Sequence, residues 1–119
     1  MLVEVGGNIG VFVSDKNVIM VDNKYEIIEE ILMSSLSEIT PNPTKYIINS
    51  HYHHDHSDGN RAFGKMGIPI ISLENVKARM QKVTELYGGI YDFIDCFVQD
   101  KYPTEALPII KYNNKLPIF

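Results

Sequence analysis

His51-Tyr52-His53-His54-Asp55-His56 contains all four histidines of a 119-residue chain, and the reading of the fold turns on it. His51 and His53 stand two apart, so in an extended backbone their side chains project to one side and can reach one metal ion. His54 points the other way unless the backbone turns. Asp55 and His56 follow where Ser57-Asp58-Gly59-Asn60 favours a bend, which brings a carboxylate and an imidazole to an adjacent position. Imidazole nitrogen and carboxylate oxygen with no thiolate nearby suit zinc best; iron and manganese are chemically acceptable. A lone loop histidine is usually solvated, and four in one loop also fit a loose metal-binding tract. The His-x-His-x-Asp-His spacing favours a defined site, because it adds Asp55 as a candidate base.

Upstream of this segment, Tyr46-Ile47-Ile48 reads as a short buried strand. Its C-terminal end therefore carries the histidines, at the sheet edge where ligands collect in α/β proteins. Further back, Ile9–Val13 and Val18–Val21 predict a β-hairpin turning at Asp15-Lys16-Asn17. Ile27, Ile28, Ile31, Leu32, Leu36 and Ile39 then recur at helical spacing. Asn23 and Glu26 offer a capping pair, and Pro41 and Pro43 offer a stop. Downstream, Ile68–Ile71 predicts another strand. Ser72 is placed to cap a helix through Val76, Met80, Val83 and Tyr87, ending at Gly88-Gly89. Ile90, Phe93, Ile94, Phe97 and Val98 fit one helical face. Ile109–Phe119 reads as a strand, an Asn-Asn turn and the start of another strand. Alternating strands and helices predict an α/β architecture with helices packed on a sheet.

Composition sets the outer bounds. The chain is 45% hydrophobic and 22% charged, with 8 glycines and 6 prolines, values of a globular chain and not of a disordered or low-complexity one. The length suits a single domain. A formal net charge of -4 argues against nucleic acid or an anionic membrane as partner. The single cysteine, Cys96, cannot form an internal disulfide, so no oxidising compartment is called for. Met1-Leu2-Val3-Glu4-Val5 has neither the basic nor the apolar region of a signal peptide, and no run approaches the length of a membrane span. The expectation is a cytoplasmic chain with no membrane association.

His51-x-His53-x-Asp55-His56 resembles the signature of the metallo-β-lactamase superfamily. Its context is similar as well: a hairpin ending in Val21-Asp22, a helix, the strand Lys45-Tyr46-Ile47-Ile48-Asn49, the motif, and the strand before Ser72-Leu73-Glu74-Asn75-Val76. The likeness runs from about Gly7 to about Lys115. It implies an α/β fold that is half of an αββα sandwich, a mixed sheet with flanking helices, over a single domain spanning residues 1–119 and truncated at its C-terminus. His51 and His53 would be ligands of a first metal, and Asp55 and His56 of a second. Zinc, one ion or two, is the implied cofactor. The implied activity is hydrolysis of a small-molecule substrate, metal-bound water attacking a carbonyl or phosphoryl centre with Asp55 as the catalytic group that orients or deprotonates it. Asp22 resembles the family's buried aspartate that supports the ligands from behind; on its own position it is equally a strand-end turn residue. Asp58 departs from the pattern, standing where relatives usually carry the first of two glycines.

The likeness also implies ligands that this sequence does not hold. Relatives add a third histidine for the first metal, an aspartate shared between the metals, and a last histidine for the second. No histidine follows His56 here. Two ligands per ion would bind weakly, since catalytic zinc normally takes three. The expectations are little activity from the chain alone, an uncovered apolar sheet face, and a second chain or self-association that completes the sandwich. A non-catalytic interaction module and an iron-dependent oxidoreductase of the same superfamily are the alternatives.

Overall fold

The computed structural model describes residues 8–86 and 97–113. Among them are seven strands: β1 (Gly10–Val13), β2 (Val18–Val21), β3 (Thr44–Ile48), β4 (Ile70–Leu73), β5 (Thr84–Leu86), β6 (Phe97–Gln99) and β7 (Ile110–Tyr112). Four helices accompany them: α1 (Glu29–Ile39), α2 (His54–Ser57), α3 (Asn60–Lys65) and α4 (Glu74–Met80). One sheet runs β1-β2-β3-β4-β7, and β5 and β6 form a separate antiparallel ribbon. β1 and β2 are the expected hairpin, antiparallel from Gly10↔Val21 to Val13↔Val18. Its turn is held by Ser14, whose hydroxyl oxygen accepts the Asn17 N–H at 3.0 Å. The remaining pairs are parallel, as crossover connections through helices require. The sheet is therefore mixed, with flanking helices.

Alternation sorts the strands into two faces. Val18, Met20, Ile47 and Ile70 pack with Leu32 and Leu36 of α1 and Phe63 of α3 in one buried cluster. Burial of each such side chain contributes about 1.5–3 kcal/mol. Leu32 and Leu36 alone form the fully buried stripe of α1, while Ile27, Ile31 and Ile39 are 89%, 52% and 67% exposed. The helical period holds, but the buried face is narrower than the apolar one. A second cluster joins Val76 and Met80 of α4 to Tyr102 and Ala106.

Several local expectations change. Asn23 does not cap the first helix. Its side chain is drawn 37 residues away, donating to Asn60 Oδ1 at 2.8 Å. The chain enters through a 3-10 turn, Glu26–Ile28, whose Glu26 N–H is taken instead by Asp58 Oδ2 at 2.9 Å. Ser72 lies inside β4 with its hydroxyl on the Leu73 carbonyl, so α4 begins at Glu74 with no side-chain cap. That helix ends at Met80, and Val83, expected inside, is 59% exposed. Phe97 and Val98 lie in a strand and not on a helical face. The strand foreseen at Ile68 starts at Ile70. Asp58 is right-handed helical, φ -61° and ψ -29°, so no left-handed backbone is asked of it. The remaining expectations at Tyr87–Ile94 and Asn114–Phe119 lie outside the described residues. Among the described residues, no helix is long and apolar enough to cross a membrane.

Gly64 fixes the approach of α3 to the 3-10 turn Thr104–Ala106: a Cβ there would stand 1.8 Å from the Glu105 carbonyl oxygen. Alanine gains about 1 kcal/mol of helix propensity but collides with backbone, and overpacking costs about 1–3 kcal/mol or more. Gly64→Ala is expected to lower the urea midpoint of unfolding. A midpoint at or above that of the parent chain would show that the two segments separate freely.

Candidate metal centre

The site begins where β2 ends. Asp22 takes a left-handed conformation, φ 64°, which aspartate tolerates better than most residues. Its N–H still donates to the Ile48 carbonyl at 2.8 Å, so β2 and β3 finish side by side. The turn aims its carboxylate, in a residue only 4% exposed, under the loop that follows β3. Asp22 Oδ1 accepts the Ser50 N–H at 2.8 Å, and Oδ2 accepts the Ser50 hydroxyl at 2.6 Å. Oδ2 also lies 3.0 Å from His56 Nδ1, and Ser50 Oγ lies 2.8 Å from His51 Nδ1.

Those contacts fix two tautomers. A carboxylate only accepts, so His56 carries its hydrogen on Nδ1. The Ser50 hydroxyl gives its one hydrogen to Asp22, so Ser50 Oγ accepts from His51 Nδ1–H. Both rings are left with an unprotonated Nε2, the atom a metal needs.

His53 is extended, φ -60° and ψ 138°, and α2 starts immediately after it. The result is a cluster. The His51 and His53 ring centroids are 4.9 Å apart, and those of His51 and His56 are 4.2 Å apart. His56 Nε2 stands 3.7 Å from Asp55 Oδ2. His54 leaves the cluster and packs on Tyr25, centroids 5.4 Å apart. Two groups have donor atoms within 4.8 Å of one another: Asp22 with His51 and His56, and His51 with His53 and Asp55. Asp22 is buried with its oxygens already engaged, so it orients. His51, His53 and Asp55 are half-buried, and imidazole and carboxylate donors of this kind suit a zinc-type ion.

Electrostatics favour the binding form. Burial holds His51 below the usual histidine range, helped by the neighbouring His56 and His53 and opposed by Asp22 and Asp55. Neutral imidazole is the form that ligates metal. Burial, then Asp55 and Asp58, raises the Tyr25 phenol. Tyr102, 2.6 Å from Ser57 Oγ, is pushed up to about 12, burial being the main cause.

The supporting residues are those that the sequence reading did not single out. Asn60 Oδ1 accepts from Asn23 at 2.8 Å and from Asn49 at 3.1 Å, and its Nδ2 donates to Asn49 at 2.7 Å and to the Ala106 carbonyl at 3.0 Å. This buried amide cluster ties the ends of β2 and β3 to α3, directly beneath the motif. Only the position of Asn49 and Ser50, just ahead of His51, hinted at such a part.

A mixed sheet with a His/Asp cluster at the carboxyl end of a central strand defines an α/β protein able to hold a metal ion. The family model of the metallo-β-lactamase superfamily matches residues 2–97, and the chain belongs to that superfamily. Among solved structures, it is similar to a subclass B3 metallo-β-lactamase with an active-site glutamic acid (TM-score 0.65, 13% identity, 89% of this chain and 40% of that one). It is similar also to MEM-A1, a subclass B3 enzyme from a soil metagenome library (TM-score 0.64, 15% identity, 92% and 40%). SMB-1 matches with a TM-score of 0.56 at 21% identity, over 64% of this chain and 31% of its own. At these identities the likeness speaks for the fold, and the chain spans less than half of each of the three. No curated protein sequence matches it significantly.

The lowered His51 pKa gives a signed expectation. The unfolded chain binds the proton more readily, so this group's contribution to stability is full above about 6.5 and falls as pH drops through that value. Proton NMR of the metal-free protein should show His51 titrating below about 6.5. It should titrate lower still in Asp22→Asn, which removes a charge that favours the imidazolium. An upward shift in that variant would contradict the assignment.

Proposed function

We propose that the chain carries part of the metal-ligand shell of a zinc-dependent hydrolase acting at a carbonyl or phosphoryl centre of a small-molecule substrate. The observation that supports this best is the convergence of His51, His53 and Asp55 above a carboxylate that fixes the ligand tautomers. In this reading His51 and His53 would hold one ion, and Asp55 and His56 a second. Zinc, when bound, supplies an acidified water and polarises the substrate oxygen. Asp22 and Ser50 hold the Nδ1 hydrogens of His56 and His51 and leave both Nε2 atoms unprotonated. Asp55 is the group with a free approach, its side chain 33% exposed, and it accepts a proton from water entering on that side.

Two ligands per ion fall short of the three that catalytic zinc usually takes. The others come, in this proposal, from a further segment or a second chain, which includes a second copy of this one. The sheet face opposite α1 offers it a seat. Register puts Phe12, Ile19, Val21, Tyr46 and Ile48 on that face, and Phe12 and Val21 are 60% and 39% exposed.

Calorimetric titration with zinc should show weak binding by the chain, lost in a His51→Ala, His53→Ala double variant. Equal binding by the two proteins would remove the ion from this loop. Occupancy should also fall as pH drops below about 6.5, where imidazoles protonate.

Turnover of chromogenic lactam, thioester or phosphodiester substrates should be slight for the chain alone and rise once the complementing segment is added. Asp55→Ala should then reduce it by on the order of a hundredfold or more. Activity indifferent to that substitution would dismiss Asp55 as the base.

A further inference from the structure

We infer that Gln99 is a positioning residue for His53, acting by gripping the backbone on both sides of it. The inference rests on reading His53 as a metal ligand. Gln99 Nε2 donates to the Tyr52 carbonyl at 2.8 Å, and its Oε1 accepts the His54 N–H at 2.9 Å. The residue is 4% exposed. One primary amide thus offers a donor and an acceptor to the two backbone groups that flank His53, as a neighbouring strand would.

Local structure supplies only part of this. The His54 N–H opens α2, where the first amides have no acceptor within the helix, and His53 provides no side-chain cap. The Tyr52 carbonyl also accepts from Ser57, but Gln99 is the side chain that holds the groups on both sides of His53 at once. Without it, the peptide between His53 and His54 would be freer to rotate. His53 would then lose the extended conformation that sets its ring edge-on to His51, at an interplanar angle of 82°.

The same segment reaches these peptides a second time, through Tyr102 and the Ser57 hydroxyl. Ser57 Oγ lies 3.1 Å from the Tyr52 carbonyl and 3.0 Å from that of His53. Its one hydrogen goes to these oxygens, so the Tyr102 phenol, 2.6 Å away, donates to Ser57. Tyr102 is anchored by its own N–H to the Met80 carbonyl at 2.8 Å, and Gln99 is paired with Thr84 across the β5–β6 ribbon. Residues 99–102 therefore form a clamp built outside the sheet and closed on the histidine loop.

The test uses cobalt(II) as a spectroscopic probe and three variants: Gln99→Met, of similar volume but without the amide, Leu36→Ala, which weakens the α1 core that contains no residue of the clamp or the histidine loop, and His53→Ala. Gln99→Met should weaken cobalt(II) binding by about 10- to 100-fold and change its visible absorption, while Leu36→Ala leaves both near the parent values. In metal-free parent protein the His54 amide should be protected from hydrogen exchange, and Gln99→Met should expose it. Parent-like cobalt affinity in Gln99→Met, an equal loss in Leu36→Ala, or an unprotected His54 amide in the parent protein would each overturn the inference. The last readout stands even where a variant fails to fold. Equal cobalt binding by the parent and His53→Ala would instead overturn the ligand reading, and with it the role of the grip, and is recognised by His54 staying protected in the parent protein.

Discussion

The Asp22 carboxylate is the constraint on which the site depends. It is buried and accepts from the Ser50 amide, the Ser50 hydroxyl and His56. A buried carboxylate is tolerated only when donors replace the water it has lost. The groups that meet this requirement belong to the histidine motif and the residue before it. One acidic group thereby ties His51 at the start of the motif, through Ser50, to His56 at its end. The arrangement exists only because β2 and β3 end in register, with the Asp22 N–H still on the Ile48 carbonyl. Parallel pairing, and the α1 crossover that permits it, are thus part of the site's chemistry.

The loop above that carboxylate is held from three directions. The Asn23–Asn49–Asn60 cluster fixes the floor. Gly59 allows α3 to begin against Asn23, where a Cβ would come within 2.7 Å. Gln99 and Tyr102 close the remaining side. A half-exposed cluster of imidazoles gains little from its own ring contacts, so its geometry comes from these neighbours. This is how a short loop keeps its imidazoles and carboxylate converged.

The two sheet faces differ in what they require. The α1 face carries a buried cluster around Met20 and Ile47 that opens toward β1, where Val11 and Val13 are exposed, whereas the opposite face exposes Phe12 and Val21 beside the half-buried Ile19, Tyr46 and Ile48. Apolar surface of this kind runs across three strands.

Much of this was legible in order along the chain. The hairpin, the crossover helix and the strand before the motif follow from periodicity, and the gathering of His51, His53 and Asp55 from residue type and spacing. These are short-range properties, in which each residue's place depends on neighbours within a turn or a pleat. The failures share the opposite cause. Asn23 and Ser72 looked like caps because nearby amides are their usual partners. In the fold, Asn23 finds Asn60, 37 residues on, and Ser72 is absorbed into β4. The motif showed His51, His53, Asp55 and His56 as donors, but not which nitrogen His51 and His56 would leave unprotonated. That was decided by Asp22, 34 residues before His56, directly and through Ser50, and the loop's backbone was fixed by Gln99, 45 residues after His54. The sequence by itself determined which groups could bind a metal. Only the tertiary structure decided their tautomers and directions, because a hydrogen-bond partner is chosen by distance in space, which no local pattern encodes.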